Sequence, residues 1–232
     1  MSENFFFVGL PYVTILILVG GTAYRAFTGG KTQFRGRLAW SARGDYLWTT
    51  RSTGFFGRAS IGPAALSLHW GMLAVVVGHI AGFIGGAYGL ASWVEFFRWT
   101  ALAGGVLLLY GLIWALVRRL MSPQLRAMST FDDYAVLVLL ILVAGLGLYN
   151  PAIKLAFGVS YSVGPWFAGI FKLRPDASLM TGAPFIVQLH MVVAMLFLCY
   201  LPFTKLVHAF SYPLGYARRP YISMRSYQGL KK

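Results

Sequence analysis

Charged side chains are scarce in this chain: Asp, Glu, Lys and Arg make up 11% of its 232 residues, against about 25% in an ordinary soluble domain. With hydrophobic residues at 58%, a water-soluble fold is excluded and a membrane protein is expected. Cysteine occurs once, as Cys199, so neither an internal disulfide nor a thiolate metal cluster can form; Cys199 reads as a small core residue. Acidic residues number six against twenty Lys and Arg, giving a net charge of +14. Such a balance suggests nucleic acid or a membrane surface as partner, and the positions of the charges decide between them.

The chain is free of Asp, Glu, Lys and Arg over residues 4–24, 59–94, 99–117, 134–153 and 177–204. Each stretch can hold the ~20 apolar residues that cross a bilayer as a helix. The expected architecture is one all-α integral membrane domain over 1–232, with transmembrane helices near 5–24, 62–86, 98–118, 132–151 and 184–210 and a cytoplasmic tail over 211–232. The first stretch lacks a basic leader and begins with Glu3 and a Phe run, which reads as a retained helix and not a cleaved signal.

The basic residues are distributed unevenly about these helices. Arg25, Lys31, Arg35, Arg37, Arg43, Arg51 and Arg58 lie in the first loop, Arg118, Arg119 and Arg126 in the third, and Lys205, Arg218, Arg219, Arg225, Lys231 and Lys232 at or after the end of the last helix. Only Arg98, Lys154, Lys172 and Arg174 fall on the opposite side. This bias orients the protein in the cell (cytoplasmic) membrane with the amino terminus outside and the carboxyl terminus in the cytoplasm. The basic loops then serve topology and anionic lipid, with room for a docked partner, and nucleic acid is not expected.

Two cytoplasmic segments carry further signals. The reach from Arg25 to Gly62 is too long for a hairpin turn and is expected to be partly ordered. In "RRLMSPQLRAMSTFDDY", Ser129 and Thr130 are each followed three residues later by Asp132 or Asp133, a helix-capping signature. On the other side, the Gly-, Pro- and aromatic-rich loop from Ala152 to Ala183 suits a short interfacial segment.

All four histidines, His69, His79, His190 and His208, fall within or at the end of just two hydrophobic segments, the second and the fifth. A titratable side chain in a span is costly to hold there and marks a functional site. The two segments run in opposite directions, so His69 and His208 are both inner and His79 and His190 both outer. Along an ideal helix His69 and His79 are about 15 Å apart and His190 and His208 about 27 Å apart. Two stacked sites result, with tilt and a kink at Pro202 expected to absorb the mismatch.

Each site offers two imidazoles and no acidic or thiolate ligand. Zinc usually needs four ligands, and the absence of CxxCH excludes covalent c-type haem. Haem iron takes two axial ligands, and bis-histidine ligation suits electron transfer because it leaves no position for substrate. Gly71, Gly78, Gly82, Gly85 and Gly86 in the second helix, with Gly104 and Gly105 in the third, either make room for haem or let helices pack closely.

The segments "LHWGMLAVVVGHIAGF", "RRLMSPQLRAMSTFDD" and "FIVQLHMVVAMLFLCYLPFTKLVHAFSYP" resemble the gamma subunit (cytochrome b) of membrane-bound respiratory nitrate reductase. The resemblance implies two b haems between the second and fifth helices, an inner one on His69 and His208 and an outer one on His79 and His190. It further implies quinol oxidation near the outer haem, drawn from the quinone pool, and electron delivery to an iron-sulfur subunit that feeds a molybdenum catalytic subunit. The tail would pack on those partners. Ahead of the third helix the family can carry a lysine associated with quinol; here the segment reads "WVEFFRWTALAGG", with Phe96 at that position. Arg98 nearby either contacts quinol or anchors the helix at the interface. Lys205, three residues before His208, is a candidate partner for a haem propionate, or it snorkels to the headgroups.

Two other readings stay open from the residues. One is the membrane cytochrome b of a sulfite- or heterodisulfide-reductase-type complex. The other is a haem-free transporter or anchor, disfavoured by the lack of intramembrane carboxylates.

Overall fold

A bilayer core supplies no water to backbone groups, so a spanning segment must satisfy its own hydrogen bonds, as an α-helix does. Five helices in a computed structural model of the chain are long and apolar enough to cross a membrane. The structure describes residues 2–28, 58–159 and 161–210. Within them the chain is helical, with no strand. Lys31, Arg35, Arg37, Arg43 and Arg51 of the first loop, and the tail over 211–232, lie outside the described residues.

The first span opens with a π-helical turn, Phe5–Gly9, and continues as α1, Leu10–Thr28. The second is α2, Arg58–Ala87, and the third α3, Ala91–Met121. After a short helix α4, Pro123–Ala127, the fourth span is α5, Phe131–Phe157. Two short helices follow, α6, Gly164–Phe171, and α7, Ser178–Thr181, and then α8, Phe185–Tyr200, the fifth span.

The spans outrun the charge-free stretches for an electrostatic reason. Helix α3 begins at Ala91 rather than near 98, because Glu95 and Arg98 pair one turn apart at 3.4 Å and Glu95 also takes a hydrogen bond from Lys154 of α5. The same pairing lets α5 continue past Lys154 to a left-handed C-cap at Gly158, φ 71°, a conformation that glycine adopts without steric cost. The fifth span ends earlier than the single helix expected over 184–210. Pro202 lacks the N–H that would continue the ladder, and two 3-10 turns, Leu201–Phe203 and Lys205–Val207, replace it.

Helices α2 and α3 form the tightest pair. They are joined over residues 88–90 through Gly89 at φ 69°, and glycines line the seam. A Cβ at Gly71 would lie 2.5 Å from the Leu108 amide nitrogen, at Gly78 2.8 Å from Ala101 Cβ, and at Gly111 2.7 Å from the Ala64 carbonyl. Gly104 meets Ala74 in the same way. Small residues that admit a neighbouring backbone are how helices associate in lipid, where van der Waals contact replaces the hydrophobic drive. Of the two readings of these glycines, Gly71, Gly78 and Gly104 therefore serve helix packing, whereas Gly82 faces open space.

From α3 the bundle continues by contact to α5, then to α8, then to α1. One core lies among α3, α5 and α8, around Leu108, Leu112, Val136, Leu140, Ala144 and Phe197. A second closes the other end, where α6 docks onto α1 and the end of α2. Trp166 is buried there and donates its indole N–H to the Phe7 carbonyl at 2.9 Å, and the Tyr12 hydroxyl reaches the Ile170 carbonyl at 3.0 Å. The glycine-rich loop thus forms a helical cap seated between spans. Among the described residues, α2 and α8 share no extended close interface.

Substituting Gly71 by Ala is expected to lower stability by about 1–3 kcal/mol through overpacking, whereas Gly20→Ala, with nothing within 4 Å of the added Cβ, is expected to be neutral. Thermal unfolding of the detergent-solubilised protein compares the two, and equal tolerance would contradict the packing account.

Candidate functional site: two opposed histidine pairs

The gap between α2 and α8 holds the four histidines. His69 on α2 faces His208 just beyond α8, with ring centroids 6.4 Å apart. His79 faces His190 with centroids 6.2 Å apart. Two imidazoles on opposite sides of one metal ion, each with a nitrogen about 2.0 Å from it, have ring centres about 6.3 Å apart. Both pairs are therefore spaced as two axial ligands of a single ion, and the pairing is the one that antiparallel helix directions require.

The ring nitrogens are sorted for the same task. Nδ1 of His69 lies 2.7 Å from the Ala65 carbonyl, Nδ1 of His79 2.7 Å from the Val75 carbonyl, and Nδ1 of His208 2.8 Å from the Lys205 carbonyl. A carbonyl oxygen only accepts, so each Nδ1 carries the proton and each Nε2 keeps its lone pair for a metal. The fourth ring is held by shape: a Cβ at Gly147 of α5 would sit 3.0 Å from Cε1 of His190, and Nδ1 of His190 is buried without a hydrogen-bond partner. Among the described residues no group of three or more His, Cys, Asp and Glu gathers into a metal site. The donor set is thus two imidazoles per site, with open space beside Gly82, one turn from His79. That combination fits a flat cofactor with two free axial positions, such as haem.

Ion pairs flank both levels. At the His79 end, Glu95 bridges Arg98 and Lys154. Arg98 is thereby engaged within the bundle, with 12% of its side chain exposed. At the His208 end, Asp133 caps α5 by accepting the Thr130 amide at 3.1 Å, and it also binds the Lys205 ammonium at 2.7 and 2.8 Å and Arg119 at 3.5 Å. Asp132 accepts the Tyr200 hydroxyl. The capping role expected for Asp133 is one of several it performs, and Lys205 spends its charge on Asp133.

A cleft of about 460 Å³ opens beside the His79 pair, lined by Ile80, Phe83, Ile84, Phe167, Phe171 and Lys172 among others. Phe83 links it to the pair: its ring meets His79 edge-on at 5.6 Å and packs on Phe167 at 4.3 Å. Arg98 does not line this cleft. Sequence reasoning missed Gly147, the Glu95–Lys154 contact and the aromatic link, all of which join residues on different elements.

Fold and site together define a multi-pass membrane protein, helical over its described residues, with two opposed histidine pairs between its spans. A family model described as nitrate reductase gamma subunit matches residues 3–227. The nitrate reductase gamma chain of Bacillus subtilis (strain 168) is 29% identical, covering 97% of this chain and 99% of its own length. The respiratory nitrate reductase 1 gamma chain of Escherichia coli (strain K12) is 30% identical over 79% of this chain and 86% of its own. The nitrate reductase-like protein NarX of Mycobacterium tuberculosis (strain ATCC 25618 / H37Rv) is 33% identical over 99% of this chain, which spans 35% of that longer protein. The chain belongs to the nitrate reductase gamma subunit family: it is a membrane electron-transfer subunit within a multi-subunit oxidoreductase, and not itself the catalytic component.

Neutralising Glu95 leaves Arg98 and Lys154 as adjacent uncompensated cations. Glu95→Gln is expected to destabilise more than Lys154→Gln, and a double-mutant cycle between the two positions should give a coupling of roughly 0.5–1 kcal/mol, the range for partly solvated pairs. Unfolding in detergent reads this, and zero coupling would show the contact to be incidental.

Proposed function

We propose that the chain is a di-haem cytochrome b that oxidises quinol at its outer end and passes electrons to a cytoplasmic iron-sulfur subunit, and through it to a molybdenum catalytic subunit. The observation that carries this reading is the pair of opposed imidazoles at each of two levels, at 6.4 and 6.2 Å. His69 and His208 would hold the inner haem, and His79 and His190 the outer one. Bound haem supplies one-electron chemistry, and two on one bundle give a transmembrane path. The four histidines would hold the two groups from opposite sides, which would keep substrate from the iron and leave electron transfer as its chemistry.

The orientation follows from the sixteen-to-four distribution of Lys and Arg across the spans, which favours an amino terminus outside and a carboxyl terminus in the cytoplasm. Inner and outer sites then take their names, and the basic inner face suits partner docking and anionic lipid. For quinol, the cleft beside Phe83 and Phe167 is the better-supported site. It is mostly apolar, borders the His79 pair through Phe83, and carries Lys172 as its one charged lining residue. Arg98, the candidate named from sequence, pairs with Glu95 through Nε at 3.4 Å and does not line this cleft.

Two tests separate these statements. His79→Ala and His190→Ala should each abolish the same haem in a reduced-minus-oxidised spectrum, and His69→Ala and His208→Ala the other; loss of haem in any other grouping contradicts the pairing. Phe167→Ala, which spares the histidines, should raise the quinol KM by roughly 3- to 10-fold, the worth of one aromatic contact, with haem content unchanged. An unaltered KM would move the quinol site elsewhere.

A further inference from the structure

The two histidine pairs are built differently. His79 and His190 both stand on uninterrupted helix, and the carbonyl that holds Nδ1 of His79 belongs to its own helical turn. His208 follows a break. Thr204, between the two 3-10 turns, is extended at φ −104° and ψ 175°. Such a break strips carbonyls of their helical donors where a bilayer offers no water to replace them.

The freed carbonyls are met by one side chain from another span. Arg25 of α1 is fully buried and donates through Nη1 to the Pro202 carbonyl at 2.8 Å and to the Thr204 carbonyl. Its helix is seated against the break at Gly21, where a Cβ would come within 3.0 Å of Pro202 Cβ. Thr204, also fully buried, closes its own side by donating its hydroxyl to the Leu201 carbonyl at 2.9 Å and accepting the Leu206 amide at 3.1 Å. Burying a guanidinium is costly, so its aim at two carbonyls of a broken helix calls for an explanation.

The second clamp lies one residue further on. Lys205 accepts Nδ1–H of His208 with its carbonyl, while its ammonium is held by both oxygens of Asp133 from α5. The residue that orients the His208 ring is therefore anchored by a carboxylate on a different helix. An unbroken helix would carry His208 about 27 Å from His190, against about 15 Å between His69 and His79; the break at Thr204 frees the chain beyond it from that straight course. Arg25 and Asp133 grip the turn on either side.

We propose that Arg25 and Asp133 are positioning residues for the inner imidazole pair: by fixing the 201–207 turn they set the direction of the His208 ring, and with it the redox behaviour of the inner haem alone. The inference rests on the di-haem reading above. It differs from a role in general folding because it affects one site and spares the other.

The test is redox potentiometry and low-temperature EPR on the complete complex in membranes, comparing wild type with Arg25→Gln, Arg25→Lys and Asp133→Asn. His208→Ala marks which signal belongs to the inner haem. Arg25→Gln and Asp133→Asn should each shift the midpoint potential and the low-spin EPR signal of that haem while the other keeps its wild-type values, and Arg25→Lys should recover part of the shift. Wild-type values for both haems in the variants, or equal shifts in both, would overturn the proposal while leaving the di-haem reading intact. A wild type without haem would overturn both. Should Arg25→Gln fail to accumulate, Asp133→Asn and Arg25→Lys carry the same comparison.

Discussion

Everything in this molecule answers to one geometric constraint: two helices that do not pack closely must bring their imidazoles within about a ring's reach at two separate depths. Helix α2 can stand off from α8 only because something else fixes it, and that is α3, drawn in until backbone meets backbone at Gly71, Gly104 and Gly111. Helix α8 is fixed in turn by α5 on one side and α1 on the other. The short helix α6 closes the far end of the gap through Gly86 and Gly164, where a Cβ on Gly164 would come within 2.6 Å of the Gly86 backbone. Tight seams around the bundle are what allow the loose one.

Charge is handled by the same economy. Two clusters of charged residues enter the spans, Glu95 with Arg98 and Lys154 at one level and Asp133 with Arg119 and Lys205 at the other, while Arg25 is buried against backbone carbonyls. Desolvation penalises a lone charge far more than a paired one, and the cations of both clusters have a carboxylate within reach. Three of the four histidines instead give their Nδ1–H to backbone carbonyls, which leaves Nε2 to face the opposed ring. Membership of the nitrate reductase gamma subunit family accords with such sites: the work of this subunit is to conduct electrons.

Much of this could be read from the residues. Charge-free stretches announce spans because a bilayer penalises each unpaired charge, and alternating helix direction is enough to match His69 with His208 and His79 with His190. What escaped reading were cooperative features. Glu95 and Lys154 are 59 positions apart, and no local pattern marks them as partners that neutralise each other and let α3 begin at Ala91. Arg25 looked like one more positive residue in a cytoplasmic loop, yet it turns inward to a break whose only sequence marker is Pro202. Gly147 stood among ordinary small residues until the His190 ring lay against it. Pairing across elements decides such roles, and no local pattern encodes it.

The central claim, that the four histidines form two complete bis-imidazole sites, is tested most directly by quantifying haem and recording the ferric EPR spectrum of the purified wild-type complex. The account predicts two b haems assignable to this chain, both low-spin, with no high-spin signal from an open axial position. A single haem, none, or a high-spin centre would contradict it.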